Sequence, residues 1–222
     1  MPDFAPRRFR LVVFDWDGTL SDSTALIAAS IQAACADVGQ PVPSERDARY
    51  VIGLGLADAL AHITPALTAD GRRALAERYR YHYLAREHEV PLFEGIAPLL
   101  ESLDDAGYLL AVATGKSRVG LDRVIARNGL AGRFHATRCA DEGFPKPHPD
   151  MLLRLMERLA VEPDRTLMIG DTTHDLDLAR NAGAQGLAVA YGAHDPAGLE
   201  ERRPLATVHS VAELGHWLAR HG

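Results

Sequence analysis

The sequence predicts an α/β protein: a doubly wound parallel sheet with an all-helical segment inserted after its first strand. Three observations carry that expectation. Short apolar runs at residues 10–14, 109–113, 166–169 and 187–190, with a weaker one at 136–139, have strand length and β-branched character. From the second run onward they alternate with segments of helical periodicity, which implies right-handed crossovers and a parallel sheet covered on both faces. Between the first and second runs, residues 23–89 carry helical patterns and no strand.

The elements follow in order. Arg10-Leu11-Val12-Val13-Phe14 reads as a buried strand, and Asp15-Trp16-Asp17-Gly18 follows, with Gly18 permitting a sharp turn. Ser21-Asp22-Ser23 offers N-caps to a helix that puts Ile27, Ile31, Ala34 and Val38 on one face and stops at Gly39. Pro41-Val42-Pro43 breaks the chain and Ser44 caps a second helix. Gly53-Leu54-Gly55 interrupts before a third at Leu56–Ile63, and Thr68 caps a fourth reaching about His88. The pattern changes at Pro91-Leu92-Phe93-Glu94-Gly95. A helix with Leu99, Leu100 and Leu103 inward precedes the second strand, which ends in Thr114-Gly115-Lys116-Ser117. The next helix carries Leu121, Val124 and Ile125 and stops near Asn128-Gly129. After the weak third strand, Pro145-Lys146-Pro147 leads into a helix with Leu152, Leu155, Met156 and Leu159. The fourth strand ends in Gly170-Asp171-Thr172-Thr173-His174-Asp175, and a helix then closes at Asn181-Ala182-Gly183 before the fifth. The tail adds a short strand at 206–208 and a helix over 211–220.

An insertion after the first strand emerges above the carboxyl edge of the sheet, a position that suits a lid. The expected organisation is a core of residues 1–20 and 91–222 with a helical cap of residues 21–90.

Composition narrows the function. At 222 residues, 47% hydrophobic and 24% charged, the chain can bury one substantial core. A net charge of −6 argues against nucleic-acid binding through bulk electrostatics and against a polybasic membrane face. The first eight residues have no apolar signal-peptide region, and no run is apolar enough to span a bilayer. Cys35 and Cys139 form no CxxC, so a reduced, cytoplasmic location is expected. Nothing in the sequence sets an oligomeric state.

The polar strand ends carry the chemistry. They are Asp15 and Asp17, Thr114 and Lys116, Lys146, and Asp171 and Asp175. In a parallel sheet all four groups converge on one edge, where open α/β sheets bind ligands. Two carboxylates about 4 Å apart repel by roughly 4 kcal/mol at an effective dielectric near 20. Three or four in one crevice therefore call for cations. Lys146 balances one, and a hard divalent ion, Mg2+, suits the rest because the donors are all oxygens. No Cys or His pair has zinc-ligand spacing. His174, between two carboxylates, is expected to face solvent. Thr114 and Lys146, with the Gly18 and Gly115 backbone, form the expected phosphoryl cradle. Thr114 is also expected to cap the helix after it, and Pro145 and Pro147 restrict the backbone around Lys146.

Three further patterns carry no function. Gly115-Lys116-Ser117 lacks the first glycine of a P-loop, since position 110 is Leu. Gly53-Leu54-Gly55 lacks the third glycine of a dinucleotide fingerprint, since position 58 is Asp. Leu75, Tyr79 and Tyr83 share a helix face and read as a core stripe rather than a single-strand nucleic-acid platform.

Taken in order, Asp15-Trp16-Asp17-Gly18-Thr19-Leu20, Thr114, Lys146 and Gly170-Asp171-Thr172-Thr173-His174-Asp175 match the four motifs of the haloacid dehalogenase-like hydrolase superfamily. The chain resembles that superfamily over nearly its whole length, and is most similar to its phosphoglycolate phosphatase-like branch. The resemblance implies a Rossmann-like core, an α-helical cap and Mg2+-dependent hydrolysis of a small phosphomonoester such as phosphoglycolate. It implies that Asp15 is the nucleophile that becomes an aspartyl-phosphate. Asp17 would protonate the leaving alkoxide, then deprotonate the attacking water. The carboxylates of Asp15 and Asp171 and the backbone carbonyl of Asp17 would bind Mg2+, with Asp175 near the metal or its waters. Thr114 and Lys146 would hold the transferring phosphoryl group.

The acid at Asp17 argues against halide release, which needs no proton donor there. A β-phosphoglucomutase-like phosphosugar mutase keeps that acid and the same cap type, and is the alternative within the superfamily. A phospho-Asp receiver domain is the alternative of another class, but its acid pair precedes its acceptor and it has no use for a lid. If the substrate carries a carboxylate, an arginine is the expected partner. Arg49, ahead of Gly53, is the candidate, with Lys116 as a contact from the core side.

Overall fold

The structure is a computed structural model and describes residues 8–222. The signal-peptide reading falls mostly on residues 1–7, outside the described residues. Strand β1 (Leu11–Phe14) is followed by helices α1 (Thr24–Asp37), α2 (Glu45–Tyr50), α3 (Leu56–Ile63) and α4 (Ala69–Arg86), the last extended by a 3-10 turn at Glu87–Glu89. Then come α5 (Ile96–Asp105), β2 (Leu109–Thr114), α6 (Arg118–Arg127), β3 (Ala136–Cys139) and α7 (Asp150–Leu159). The chain finishes with β4 (Thr166–Gly170), α8 (Thr173–Asn181), β5 (Gln185–Val189), α9 (Pro196–Glu200), β6 (Thr207–Val208) and α10 (Val211–His221).

Among the described residues one six-stranded sheet forms, in the order β3-β2-β1-β4-β5-β6, and every pairing is parallel. β1 is central and buried on both faces, which is why its sequence is an unbroken apolar run. Side chains alternate across a strand. Val12, Phe14, Leu110, Val112, Leu167 and Ile169 pack with α5, α6 and α10, whereas Leu11, Val13, Ala111, Ala113 and Met168 pack with α7 and α8. Register pairs Phe14 with Val112 and with Ile169. The residues that follow, Asp15, the β2 end at Thr114 and the β4 end at Gly170, therefore leave the sheet at one level.

Helices α1 to α4 have their own apolar cluster, including Ile27, Ile31, Ala34, Ala48, Leu60, Leu75 and Tyr83. The second and fourth helix starts are capped as their residues predict: Ser44 Oγ accepts from the Asp47 amide, and Thr68 Oγ1 from the Gly71 amide. Leu75 and Tyr83 are buried in the core stripe.

Several expectations are corrected. Ser23 sits at the start of α1 but makes no capping bond; its hydroxyl is taken by Asp17. Thr114 ends β2, and Ser117 caps α6 by accepting from the Gly120 amide. The fourth helix ends at Arg86, β5 begins at Gln185 rather than 187, and α9 was not foreseen from its five-residue pattern. Short helices carry too few periodic positions to announce themselves.

Candidate active site

The carboxyl ends of β1 and β4 gather the acids. Carboxylate oxygens of Asp15, Asp171 and Asp175 all lie within 4.8 Å of one another, and all three residues are buried. Lys146, from the loop ahead of α7, reaches into the group: its Nζ is 2.8 Å from Asp15 Oδ1 and 2.6 Å from Asp175 Oδ1. Asp15 Oδ1 also accepts from the Trp16 amide at 2.6 Å. Asp15 Oδ2 is buried and has no hydrogen-bond partner. Burial of an unpartnered polar atom costs free energy, so this oxygen is free for a ligand.

The neighbours hold the acids in place. Asp171 accepts from Thr19 Oγ1 and from the Ala193 amide, each at 2.7 Å, on its two oxygens. Asp175 closes a capping box at the start of α8, accepting from Thr172 Oγ1 at 2.7 Å and the Thr172 amide at 3.1 Å. Glycine is required beside them. A Cβ on Gly18, whose φ is +82°, would lie 2.2 Å from Asp171 Oδ2, and one on Gly192 would lie 2.3 Å from Asp171.

Three buried carboxylates face one ammonium. Burial, with repulsion from Asp175 and Asp171, pushes the Asp15 carboxyl well above its ordinary range although Lys146 pulls it down. Asp171 is pushed up to about 7, by burial and then by Asp175. Burial opposes the charge on Lys146, and the adjacent Asp15 and Asp175 more than offset it, so the ammonium is held above its usual value. The group is short of positive charge. An all-oxygen donor set of three buried carboxylates fits a hard divalent cation.

Asp17 lies apart from this cluster. Its Oδ1 accepts from Ser23 Oγ at 2.7 Å and pairs with Lys116 Nζ at 3.0 Å. Lys116 Nζ in turn donates to Tyr83 Oη, on α4, at 2.9 Å. Asp17, Lys116 and Tyr83 all line a cavity of about 680 Å3 between the α1–α4 helices and the sheet edge. Thr114 Oγ1 accepts from the Lys116 amide at 3.2 Å, leaving its own proton to donate.

Other expected residues stand elsewhere. Gly115 packs against the chain of the α2–α3 loop: a Cβ there would lie 2.4 Å from the Leu54 carbonyl oxygen and 2.7 Å from that of Gly53. Arg49 does not line the cavity; it pairs with Glu45 at 3.1 Å and donates to Thr24 Oγ1 and the Gly192 carbonyl. Lys116 is engaged by Asp17 rather than free for a substrate carboxylate. His174 is buried in the first turn of α8, not solvent-facing, and its Nε2 meets the Tyr50 carbonyl at 2.9 Å. His194 Nε2 meets the same carbonyl, also at 2.9 Å.

Sequence reasoning missed Thr19, Ser23, Tyr83 and Ala193. Thr19 and Ser23 had a signal in their closeness to the acids. Ala193 had none, since it contributes an amide that any residue carries.

The fold and this edge define the class. The family model for haloacid dehalogenase-like hydrolases matches residues 12–189. The chain belongs to the haloacid dehalogenase-like hydrolase family. It is 36% identical over 210 residues to "Probable phosphatase IndB" of Dickeya dadantii, covering 92% of this chain and 91% of that protein. It is 30% identical over 218 residues to the phosphoglycolate phosphatase of Vibrio vulnificus, covering 94% and 95%. Among solved structures, a haloacid dehalogenase-like hydrolase from Streptococcus pneumoniae superposes with a TM-score of 0.80 at 26% identity, over 95% of this chain and 98% of that one. Its place in the family is the phosphoglycolate phosphatase-like branch, whose enzymes are phosphoric monoester hydrolases. Among the described residues no helix is long and apolar enough to cross a membrane.

Proposed function

We propose that this enzyme hydrolyses a small-molecule phosphomonoester through a phosphoryl group carried on Asp15, with Mg2+ as cofactor. The observation that carries the reading is the unpartnered, buried Asp15 Oδ2 beside Lys146. Lys146 and the Trp16 amide fix Oδ1, so Oδ2 is the oxygen presented to phosphorus. It forms a P–O bond as the ester P–O bond breaks, and the alcohol departs with a proton from Asp17. Water then attacks the acyl phosphate, gives a proton to Asp17, and releases inorganic phosphate and the Asp15 carboxylate. Splitting one difficult displacement into two easier ones is the gain of covalent catalysis.

Ser23 and Lys116 orient Asp17, while Lys146 and the Thr114 hydroxyl bind phosphoryl oxygens. Asp15, Asp171 and the Asp17 carbonyl would hold Mg2+, with Asp175 beside it, supplying charge neutralisation for the phosphoryl oxygens. The backbone at Gly18 and Gly115 borders the same edge.

Residues 21–90 act as a cap on the core of residues 1–20 and 91–222, and their own apolar cluster, which only Ala193 joins from the core, supports this. The partner is a small phosphorylated metabolite. The buried, free Cys35 and Cys139 support a reducing, cytoplasmic setting.

The test is a panel of phosphomonoesters, with and without Mg2+, using Asp15→Asn as the blank. Inorganic phosphate is expected in equal amount to alcohol. Accumulation of a bisphosphate with little phosphate release favours the mutase, and a phospho-Asp that persists for many minutes favours a receiver; either overturns the reading.

A further inference from the structure

The cavity beside Asp17 is larger than phosphoglycolate would fill. Its volume, about 680 Å3, falls in the range that encloses drug-sized ligands, roughly 300–1,000 Å3. Phosphoglycolate has only a carboxymethyl group beyond its phosphate and leaves most of that space empty. Much of the wall is aliphatic, with Ile27, Ile31 and Ile52 buried and Leu54 half-buried. Leu84 of α4 and Val119 of α6 also line it, yet they are 47% and 72% exposed. Two exposed apolar side chains, one from each side of the cavity, gain from a ligand that covers them.

The charges inside are already spent. Lys116 pairs with Asp17 and Tyr83. Arg123 makes a two-pronged pair with the buried Glu87, at 2.5 and 3.0 Å. The remaining cation on the wall, Arg80, is exposed. Asp58 and Asp141 add further negative charge. A carboxylate on the leaving group would enter with no free inner cation to meet it, a costly arrangement for a desolvated ion. The aromatic part of the wall is Tyr79 stacked on Tyr83, with ring centroids 5.8 Å apart.

From this we infer that the alcohol released by this enzyme is bulky, uncharged and largely apolar or aromatic, and that Leu84 and Val119 are specificity-determining residues. The inference rests on the hydrolase reading for its chemistry but on the cavity for its selectivity.

The experiment uses esters of primary alcohols of similar basicity: ethyl phosphate, benzyl phosphate, 2-naphthylmethyl phosphate and 2-phosphoglycolate. Matching the leaving-group basicity keeps intrinsic reactivity from mimicking selectivity. kcat/KM is measured with Mg2+, and binding of the same esters to the Asp15→Asn variant by calorimetry. The 2-naphthylmethyl ester is expected to exceed both ethyl phosphate and 2-phosphoglycolate by about tenfold or more in each measurement, from apolar burial. Leu84→Asp and Val119→Asp, both at exposed positions that tolerate a charge, are expected to lower kcat/KM for the 2-naphthylmethyl ester by at least about fivefold more than for ethyl phosphate, and so to erase the preference. If 2-phosphoglycolate is turned over or bound as well as the naphthylmethyl ester, the inference is wrong. A preference that survives both variants overturns the assignment of the two residues. If no ester yields phosphate but the binding order holds, the hydrolase reading falls and the cavity's selectivity stands.

Discussion

Asp15 has one oxygen pinned and one free, the asymmetry that the proposed nucleophile requires. Asp15→Asn is expected to lower phosphate release by at least about a thousandfold while leaving the far-ultraviolet circular dichroism unchanged, because the amide keeps the shape and loses the charge. Lys146 is a structural cation as much as a binding one, being buried between Asp15 and Asp175. Lys146→Met strands carboxylates without a partner and is expected to cost about 3–5 kcal/mol, read from urea unfolding.

In the proposed reaction Asp171 would couple a proton to the metal. Its carboxyl lies at about 7 in the fold against an ordinary 3.8. Between those values the folded chain keeps a proton that the unfolded chain has released, so this group lowers metal-free stability as pH rises from about 4 to about 7. A bound cation needs the ionised form. The rise in Tm given by a fixed Mg2+ concentration is therefore expected to be larger at pH 8 than at pH 6, since affinity falls about tenfold per pH unit while one proton must be displaced. An equal rise at both pH values would show that cation binding displaces no proton from this group.

Elements decide how the two halves of the site meet. The β2–α6 turn and the α2–α3 loop touch through backbone at Gly115, where a Cβ has no room beside the Leu54 carbonyl. Gly115→Ala is expected to push that loop away, raising KM and lowering kcat by roughly tenfold together and lowering the melting temperature, because the atoms that must move are backbone. Unchanged kinetics would show that this contact does not set closure. The strands were legible because apolar runs bounded by turn residues are hard to mistake. Two helix starts were legible because Ser44 and Thr68 satisfy orphan amides locally. Ser23 and Thr114 misled for one reason: a hydroxyl has several possible partners, and at this edge Asp17 and the Lys116 amide took them.

On the scale of the molecule, parallel pairing is the feature that makes a site. It puts β1, β2 and β4 in register, so Thr19 and Asp171, 152 positions apart in the chain, share a hydrogen bond beside the acids. Chelation by EDTA is expected to abolish phosphate release and lower Tm, with Mg2+ restoring both; retained activity in EDTA would exclude a metal-dependent reaction.

The sequence by itself determined the sheet, the helical insertion and the residues at the strand ends, because periodicity and turn chemistry act over a few neighbours. Tertiary structure alone decided which oxygen of Asp15 is free, that Lys116 serves Asp17 across to Tyr83, that Arg49 is taken up by Glu45, Thr24 and the Gly192 carbonyl rather than lining the cavity, and how large and apolar that cavity is. Those facts depend on distances between elements far apart in the chain, and no local pattern encodes them.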